Sequence, residues 1–289
     1  MVYTSTLSLF RQIRDEIKPI YGHEADMLAM FIVEDVSGFN STDILVDNKF
    51  QTGPNFRYTI SKYILQLKRQ EPIQYILGKA YFYVNMYEVN ESTLIPRPET
   101  EELVKLVLDY SPESLPIKVL DIGTGSGCIA ITIALNLPNA MVDGLDISMS
   151  ALTVAIRNAE KLGAEVNFFK ADIFDFKSTK KYDVIISNPP YVRESEKKLM
   201  SANVVEYEPV KALFVPDSDP LKFYKCIAEF AKESLSAKGA IFLEVNEAFA
   251  NDVAKLLEAG DFHRIEILKD INGKDRFVYG LKGDKVLQE

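Results

Sequence analysis

The chain has 289 residues, with 33 basic against 42 acidic side chains, a formal charge of −9 and a sequence pI near 5.0. With 47% hydrophobic and 26% charged residues it has the profile of a folded protein, not a disordered or fibrous one, long enough for one large domain or two. The acid excess argues against a general grip on long nucleic acid, which needs Lys and Arg to displace phosphate counterions.

Cys128 and Cys226 are isolated, as are His23 and His263. No disulfide framework and no metal site is expected, and a reducing compartment is implied. The N-terminus lacks the charged start and apolar run of a signal peptide. No apolar stretch reaches the roughly 18 residues of a membrane span, so a cytoplasmic protein is expected.

Residues 1–75 read as a small helical bundle. Leu7, Phe10, Ile13 and Ile17 recur at helical spacing, as do Met27, Leu28, Phe31 and Ile32, and then Ile60, Tyr63, Ile64 and Leu67. Breaks at Ser41-Thr42-Asp43 and Thr52-Gly53-Pro54 separate them, with Asp43 in position to cap a short helix. Residues 76–95 follow as a connecting hairpin and linker. The aromatic, β-prone segment 79–89 is read as the hairpin, turning at Asn85. In Leu94-Ile95-Pro96-Arg97-Pro98-Glu99-Thr100, two prolines stiffen the chain and a helix is predicted from Pro98, with Glu99, Glu101 and Glu102 favourably placed in its first turn. Residues 96–289 form the larger domain.

From 117 onward short apolar runs alternate with helical stretches. Strands are predicted at 117–122, 140–145, 165–169, 182–187 and 239–245, and helices at 151–162 and 221–236. That order predicts an α/β fold, a parallel sheet covered by helices on both faces. At the end, 262–268 and 276–281 are joined by a turn containing Asn272-Gly273, hence an antiparallel hairpin at the sheet edge.

Two motifs carry chemistry. Asp121-Ile122-Gly123-Thr124-Gly125-Ser126-Gly127-Cys128 follows a buried strand and opens a helix. Its glycines permit a tight turn and close approach of a ligand to the backbone, beside the free N–H groups of the helix start. Asp146, just after the second strand, stands where such folds hold ribose hydroxyls. Gly125-x-Gly127-x-x-Ala130 also fits the dinucleotide pattern, so the turn alone leaves a nicotinamide or flavin cofactor open. The whole D-x-G-x-G-x-G run looks like the first motif of S-adenosylmethionine-dependent methyltransferases, in which Asp172-Ile173, after the third strand, would meet the adenine.

The second motif, Ser187-Asn188-Pro189-Pro190-Tyr191, ends the fourth strand. Ligands of open parallel sheets sit beyond the carboxyl ends of the strands, so this motif is expected beside the glycine turn. An amide or exocyclic amine nitrogen is a poor nucleophile because its lone pair is delocalised. The Asn188 side-chain oxygen and the Pro189 carbonyl can each accept one N–H of an NH2 group, and prolines add no competing donor. Tyr191 offers an aromatic face to a planar amide or base. This chemistry serves a protein amide and an adenine amino group alike.

The chain resembles the PrmC/HemK family of protein-(glutamine-N5) methyltransferases over nearly its whole length. The matching segments are Pro72–Gly78, Tyr81-Phe82, Leu94–Glu101, Asp121–Gly127, Ser187–Tyr191, Tyr207-Glu208-Pro209 with Ala212-Leu213, and Asp270–Tyr279. The resemblance implies a Rossmann-like, seven-stranded methyltransferase sheet whose last hairpin is antiparallel, with an N-terminal helical bundle that recognises substrate. It implies S-adenosylmethionine as cofactor, leaving as S-adenosylhomocysteine, held by Gly123, Thr124, Gly125, Ser126, Gly127, Asp146, Ile147, Asp172, Ile173 and Asn188. Asn188, Pro189, Pro190 and Tyr191 are the implied catalytic and substrate-binding residues. Phe82 and Arg97 are expected to line or support the pocket. The substrate implied is the glutamine of the GGQ motif in peptide-chain release factors, whose methylation modulates translation termination.

A monomer with no direct DNA binding is expected. The alternative is an adenine amino-methyltransferase on DNA or RNA. The −9 charge weighs against it, and Lys177, Lys180 and Lys181 read as a solvated surface. The acidic stretch Glu244-Val245-Asn246-Glu247 departs from the family pattern, and no role is assigned to it.

Overall fold

The structure, a computed structural model, describes residues 2–283; Met1 and residues 284–289, with the expected domain limit at 289, lie outside the described residues. The chain divides into two compact units, one of Met1–Gly78 with Ser201–Tyr207, the other of Lys79–Met200 with the chain from Glu208 on.

The first unit is built from the helices Thr6–Tyr21, Ala25–Ser37 and Phe56–Lys68 around a core that includes Ile13, Ile17, Ile32, Ile64 and Leu67. Val2–Ser5 pairs antiparallel with Lys49–Thr52. The short helix Ser41–Leu45 is capped by Asn40, one residue ahead of the polar cluster. Asp43 lies inside the first turn and accepts the Asn40 N–H in return, so the two residues close a capping box. Ala202–Tyr207, far along the chain, belongs to this unit, and the Tyr207 hydroxyl donates to the Arg69 carbonyl at 2.9 Å. Periodicity could not show that, because the segment is short and its partner is 138 residues away.

The second unit starts with the hairpin Lys79–Phe82 and Asn85–Glu88. Its turn is Tyr83-Val84, with Tyr83 in the left-handed region at φ 57°; Asn85 opens the return strand instead of making the turn. The hairpin is no loose connector. Phe82 and Tyr87 are fully buried, in edge-to-face contact at 6.0 Å between ring centroids, and the Tyr87 hydroxyl pairs with Thr132 at 2.8 Å. The division between units therefore falls after Gly78, ahead of the proline-rich segment.

The strands of the sheet, numbered here within this unit, are β1 Lys118–Ile122, β2 Met141–Asp146, β3 Val166–Lys170, β4 Tyr182–Ser187, β5 Leu235–Glu244, β6 His263–Lys269 and β7 Asp275–Leu281. Their order is β6-β7-β5-β4-β1-β2-β3. Every neighbouring pair from β5 through β4, β1 and β2 to β3 is parallel. β7 runs antiparallel to both β5 and β6, so the reversed strand is inserted one place in from the edge.

The helices α1 Pro98–Tyr110, α2 Cys128–Asn136 and α3 Met149–Leu162 lie on one face, and α4 Lys222–Ser234 and α5 Ala250–Ala259 on the other. Alternation along the strands explains the two layers. Val119, Val184, Ile186 and Phe242 enter the first core, while Leu120, Ile185, Ile241 and Leu243 enter the second. Each such side chain contributes about 1.5–3 kcal/mol when fully buried. The strand order reverses between β1 and β4, and both strands end toward the same crevice.

Candidate active site and cofactor cradle

The glycine turn leaves β1 and climbs to α2. Gly123, Gly125 and Gly127 all have positive φ, at 78°, 55° and 82°. A Cβ on Gly123 would meet nothing within 4 Å, so the turn faces open space there. Gly127 is different. A Cβ at that position would come within 2.9 Å of Ile131 Cδ1 and 3.1 Å of both Ala155 Cβ and Phe168 Cζ. One glycine serves the open face and the other serves packing.

The turn is fixed from three sides. The N–H groups of Gly123 and Thr124 both donate to the Leu145 carbonyl at 2.9 Å, joining it to β2. Thr124 Oγ1 donates to Asp121 Oδ2 at 2.6 Å. Asn158 of α3 donates to the Ser126 carbonyl at 2.9 Å and to the Glu88 carbonyl at 3.0 Å, tying the turn to the hairpin. Burial pushes the Asp121 carboxyl up to about 7, against the pull of Thr124.

Asp146 ends β2 with its carboxylate against the turn, accepting from Gly125 N–H at 2.9 Å and Ser148 N–H at 2.8 Å. Burial raises its pKa, and those two amides oppose the shift. Ile147 beside it is 51% exposed, an apolar surface next to a carboxylate. After β3, Asp172 Oδ1 accepts the Phe174 N–H at 3.0 Å, and Ile173 is buried. Glycines open to a ligand, an acid at the end of β2 and apolar side chains flanking it fit an adenosyl cofactor with a positively charged tail. No pyrophosphate clamp of Arg or Lys side chains is bonded to the turn among the described residues.

The second motif lies next door. Ser187 Oγ donates to the Ile122 carbonyl at 2.7 Å, so the end of β4 is bolted to the residue preceding Gly123. Asn188 and Tyr191 are half-buried and Pro189 is buried. Together with Leu94, Arg97 and Leu213 they line a narrow cavity of about 40 Å³. Arg97 bonds Glu208 at 2.5 Å, and Glu208 also accepts the Ile95 N–H at 3.1 Å. Phe82 is fully buried in the core and does not line this cavity. A wider groove of about 800 Å³ opens at the opposite ends of β2 and β3, and none of the residues expected from the motifs lines it.

Four side chains connect into one network. Asn188 Nδ2 lies 3.1 Å from Thr100 Oγ1, Thr100 Oγ1 donates to Glu244 Oε2 at 2.7 Å, and the Tyr191 hydroxyl donates to Glu244 Oε1 at 3.0 Å. Burial raises the pKa of Glu244, while the two hydroxyls and Arg276 favour its charged form. Burial also pushes the Tyr191 hydroxyl up, with Glu244 adding to the effect, so Tyr191 stays a donor. The Tyr224 hydroxyl bonds the Glu244 carbonyl at 3.1 Å, and Asn246 Nδ2 donates to the Tyr191 carbonyl at 3.3 Å. The acidic stretch with no assigned role thus supplies the centre of this network. A signal was present: Glu244 follows the buried run Ile241-Phe242-Leu243, where an acid must be paired.

A family model for the methyltransferase small domain matches residues 102–208. The release factor glutamine methyltransferase of Bacteroides thetaiotaomicron is 43% identical over 92% of this chain and 96% of its own length. The chain belongs to the release factor glutamine methyltransferase family. The enzyme of the same name from Flavobacterium psychrophilum is 48% identical over 74% of this chain and 77% of its own length. A crystal structure of a methyltransferase from Pyrococcus furiosus has the same fold, with a TM-score of 0.50 at 18% identity, covering 68% of this chain and 88% of that one. The protein is an S-adenosylmethionine-dependent methyltransferase with the expected α/β fold, which removes the nicotinamide and flavin readings of the glycine turn. No helix among the described residues is long and apolar enough to cross a membrane.

Proposed function

We propose that this methyltransferase transfers a methyl group to the side-chain amide nitrogen of the glutamine in the GGQ motif of peptide-chain release factors. The observation that carries the reading is the junction of the two motifs. The Ser187–Ile122 hydrogen bond sets Asn188 and Pro189, two acceptors of amide hydrogens, beside the open glycine turn. Relatives at 43% and 48% identity are named release factor glutamine methyltransferases.

In this reading the glycine turn, Asp146 and Ile147 hold the cofactor. S-adenosylmethionine, when bound, supplies an activated methyl group on a sulfonium sulfur, which departs as a thioether. Asn188 Oδ1 and the Pro189 carbonyl receive the two N–H bonds of the glutamine amide. Both attract the nitrogen more strongly as positive charge builds on it, so they stabilise the transition state over the ground state. They also fix the direction of the nitrogen toward the cofactor side of the cavity. One proton leaves the nitrogen to solvent after the methyl is attached, restoring a neutral amide. Tyr191 closes the cavity with its ring. The N-terminal unit, which contributes none of these groups, is read as the module that recognises the release factor, on a protein that works as a monomer in the cytoplasm.

The test is a transfer assay with methyl-labelled S-adenosylmethionine and either a release factor or DNA as acceptor. Label on the release factor alone is expected. Label on adenine with none on the release factor would replace this reading with that of a nucleic-acid amino-methyltransferase.

A further inference from the structure

We propose that Thr100 and Glu244 are positioning residues that set which way the Asn188 amide faces. The inference rests on Asn188 as the acceptor of the substrate amide. An Asn side chain has an oxygen and a nitrogen of nearly the same shape, so the pocket works only if something distinguishes its two orientations. Turned the wrong way, Asn188 would present N–H donors to a substrate NH2 that is itself a donor.

The network makes the distinction through hydrogen-bond direction. Glu244 is 1% exposed, and its carboxylate accepts hydrogen bonds without donating any. Thr100 Oγ1, 2.7 Å away, must therefore spend its one proton on Glu244 Oε2. What remains on Thr100 toward Asn188 is a lone pair, and the atom facing it at 3.1 Å is Nδ2. Asn188 Oδ1 is left for the cavity. The direction propagates one way, from a charge to a hydroxyl to an amide. Tyr191 donates to the second carboxylate oxygen at 3.0 Å, so the same charge anchors the ring at the other side of the cavity. Arg276, held by Asp270 at 3.1 Å and the Val245 carbonyl at 3.3 Å, keeps a positive charge near the buried carboxylate. Thr100 comes from the first turn of α1 and Glu244 from the end of β5, so two elements remote in sequence converge on one amide.

The experiment compares Thr100→Val, Thr100→Ser, Glu244→Gln, the Thr100→Val/Glu244→Gln pair and Asn188→Ala, with turnover on a release factor, cofactor affinity and thermal melting measured for each. Valine matches threonine in shape and removes the hydroxyl, so Thr100→Val is expected to lower kcat by about tenfold to a hundredfold, at or below the scale of losing one preorganised polar group. Cofactor affinity and melting temperature stay close to those of the parent. Thr100→Ser restores the hydroxyl and keeps most of the turnover. Glu244→Gln also lowers kcat, and its loss does not add to that of Thr100→Val, because both act through one hydrogen bond. Wild-type turnover in Thr100→Val with an inactive Asn188→Ala overturns this inference alone. A silent Glu244→Gln, or losses that add, shows that the carboxylate does not act through Thr100. Retained turnover in Asn188→Ala overturns the acceptor reading itself and this inference with it.

Discussion

Ser187 donates its hydroxyl hydrogen to the carbonyl of Ile122 across 2.7 Å, at the point where β4 and β1 end side by side. Both groups are buried, and the bond joins the Asn188–Tyr191 loop to the glycine turn, the two segments proposed to present the amide acceptors and to hold the cofactor. Replacing Ser187 with Ala leaves the Ile122 carbonyl without that donor. The expected cost is about 1–3 kcal/mol of stability, read as a lower denaturant midpoint with unchanged slope, together with a fall in kcat. An unchanged midpoint would mean that the two loops are held by packing alone.

The glycines of the turn separate two kinds of constraint. Gly127→Ala forces a Cβ into Ile131, Ala155 and Phe168 at 2.9–3.1 Å, in addition to the penalty of φ 82°. Gly123→Ala meets only its φ of 78°, a strain of about 1–2 kcal/mol. Gly127→Ala should therefore melt well below Gly123→Ala, while Gly123→Ala, whose Cβ projects into the open face, should fold and lose cofactor affinity. Calorimetry of cofactor binding beside thermal melts checks both, and equal melting temperatures would contradict the packing role.

The buried carboxyl of Asp121 gives a pH dependence whose sign is fixed. Its folded-state pKa of about 7 lies above the ordinary carboxylate value of about 3.9. Between those values the folded chain binds more protons than the unfolded one, so its stability falls as pH rises through that window. Asp146 and Glu244, also raised by burial, act in the same direction. The cofactor-free protein is expected to lose melting temperature from pH 5 to pH 8, and Asp121→Asn should make that decline shallower without abolishing it. A decline of the same steepness in the variant would show that Asp121 stays ionised throughout.

Arg97 and Glu208 make the ion pair at the cavity wall, 2.5 Å apart, with the Glu208 side chain 1% exposed. Removing Arg97 takes the opposite charge from a buried carboxylate that still accepts the Ile95 N–H. Arg97→Ala is expected to cost about 3 kcal/mol and to raise KM for the protein substrate. Adding Glu208→Gln should recover part of the stability, and a denaturant series on the three variants decides whether the pair is coupled.

The two chemical motifs were legible because each is local: a glycine turn between strand and helix, and Asn188-Pro189-Pro190-Tyr191 at a strand end. The parallel sheet followed from the alternation and the antiparallel hairpin from the short turn at Asn272-Gly273, while the order of the strands came only from the structure. Beyond Arg97, which the family resemblance named and which lines the cavity, what supports the site was not legible. Thr100 reaches Asn188 across 88 residues of sequence and Glu244 across 144, Asn158 holds the hairpin across 70, and Glu208 meets Arg97 across 111. Such contacts leave no periodic trace. Only a buried-strand context marks Glu244 as an acid in need of partners, and a helix as short as Ala202–Tyr207 carries too few apolar positions to show where it packs.

The central claim concerns one nitrogen atom. Tandem mass spectrometry of a release factor incubated with the purified enzyme and S-adenosylmethionine locates the methyl group directly. A single methyl on the side-chain nitrogen of the GGQ glutamine, absent when Asn188→Ala replaces the parent enzyme, is the predicted result. A methyl on any other residue, or on the same glutamine with Asn188→Ala as fast as the parent, would contradict the account.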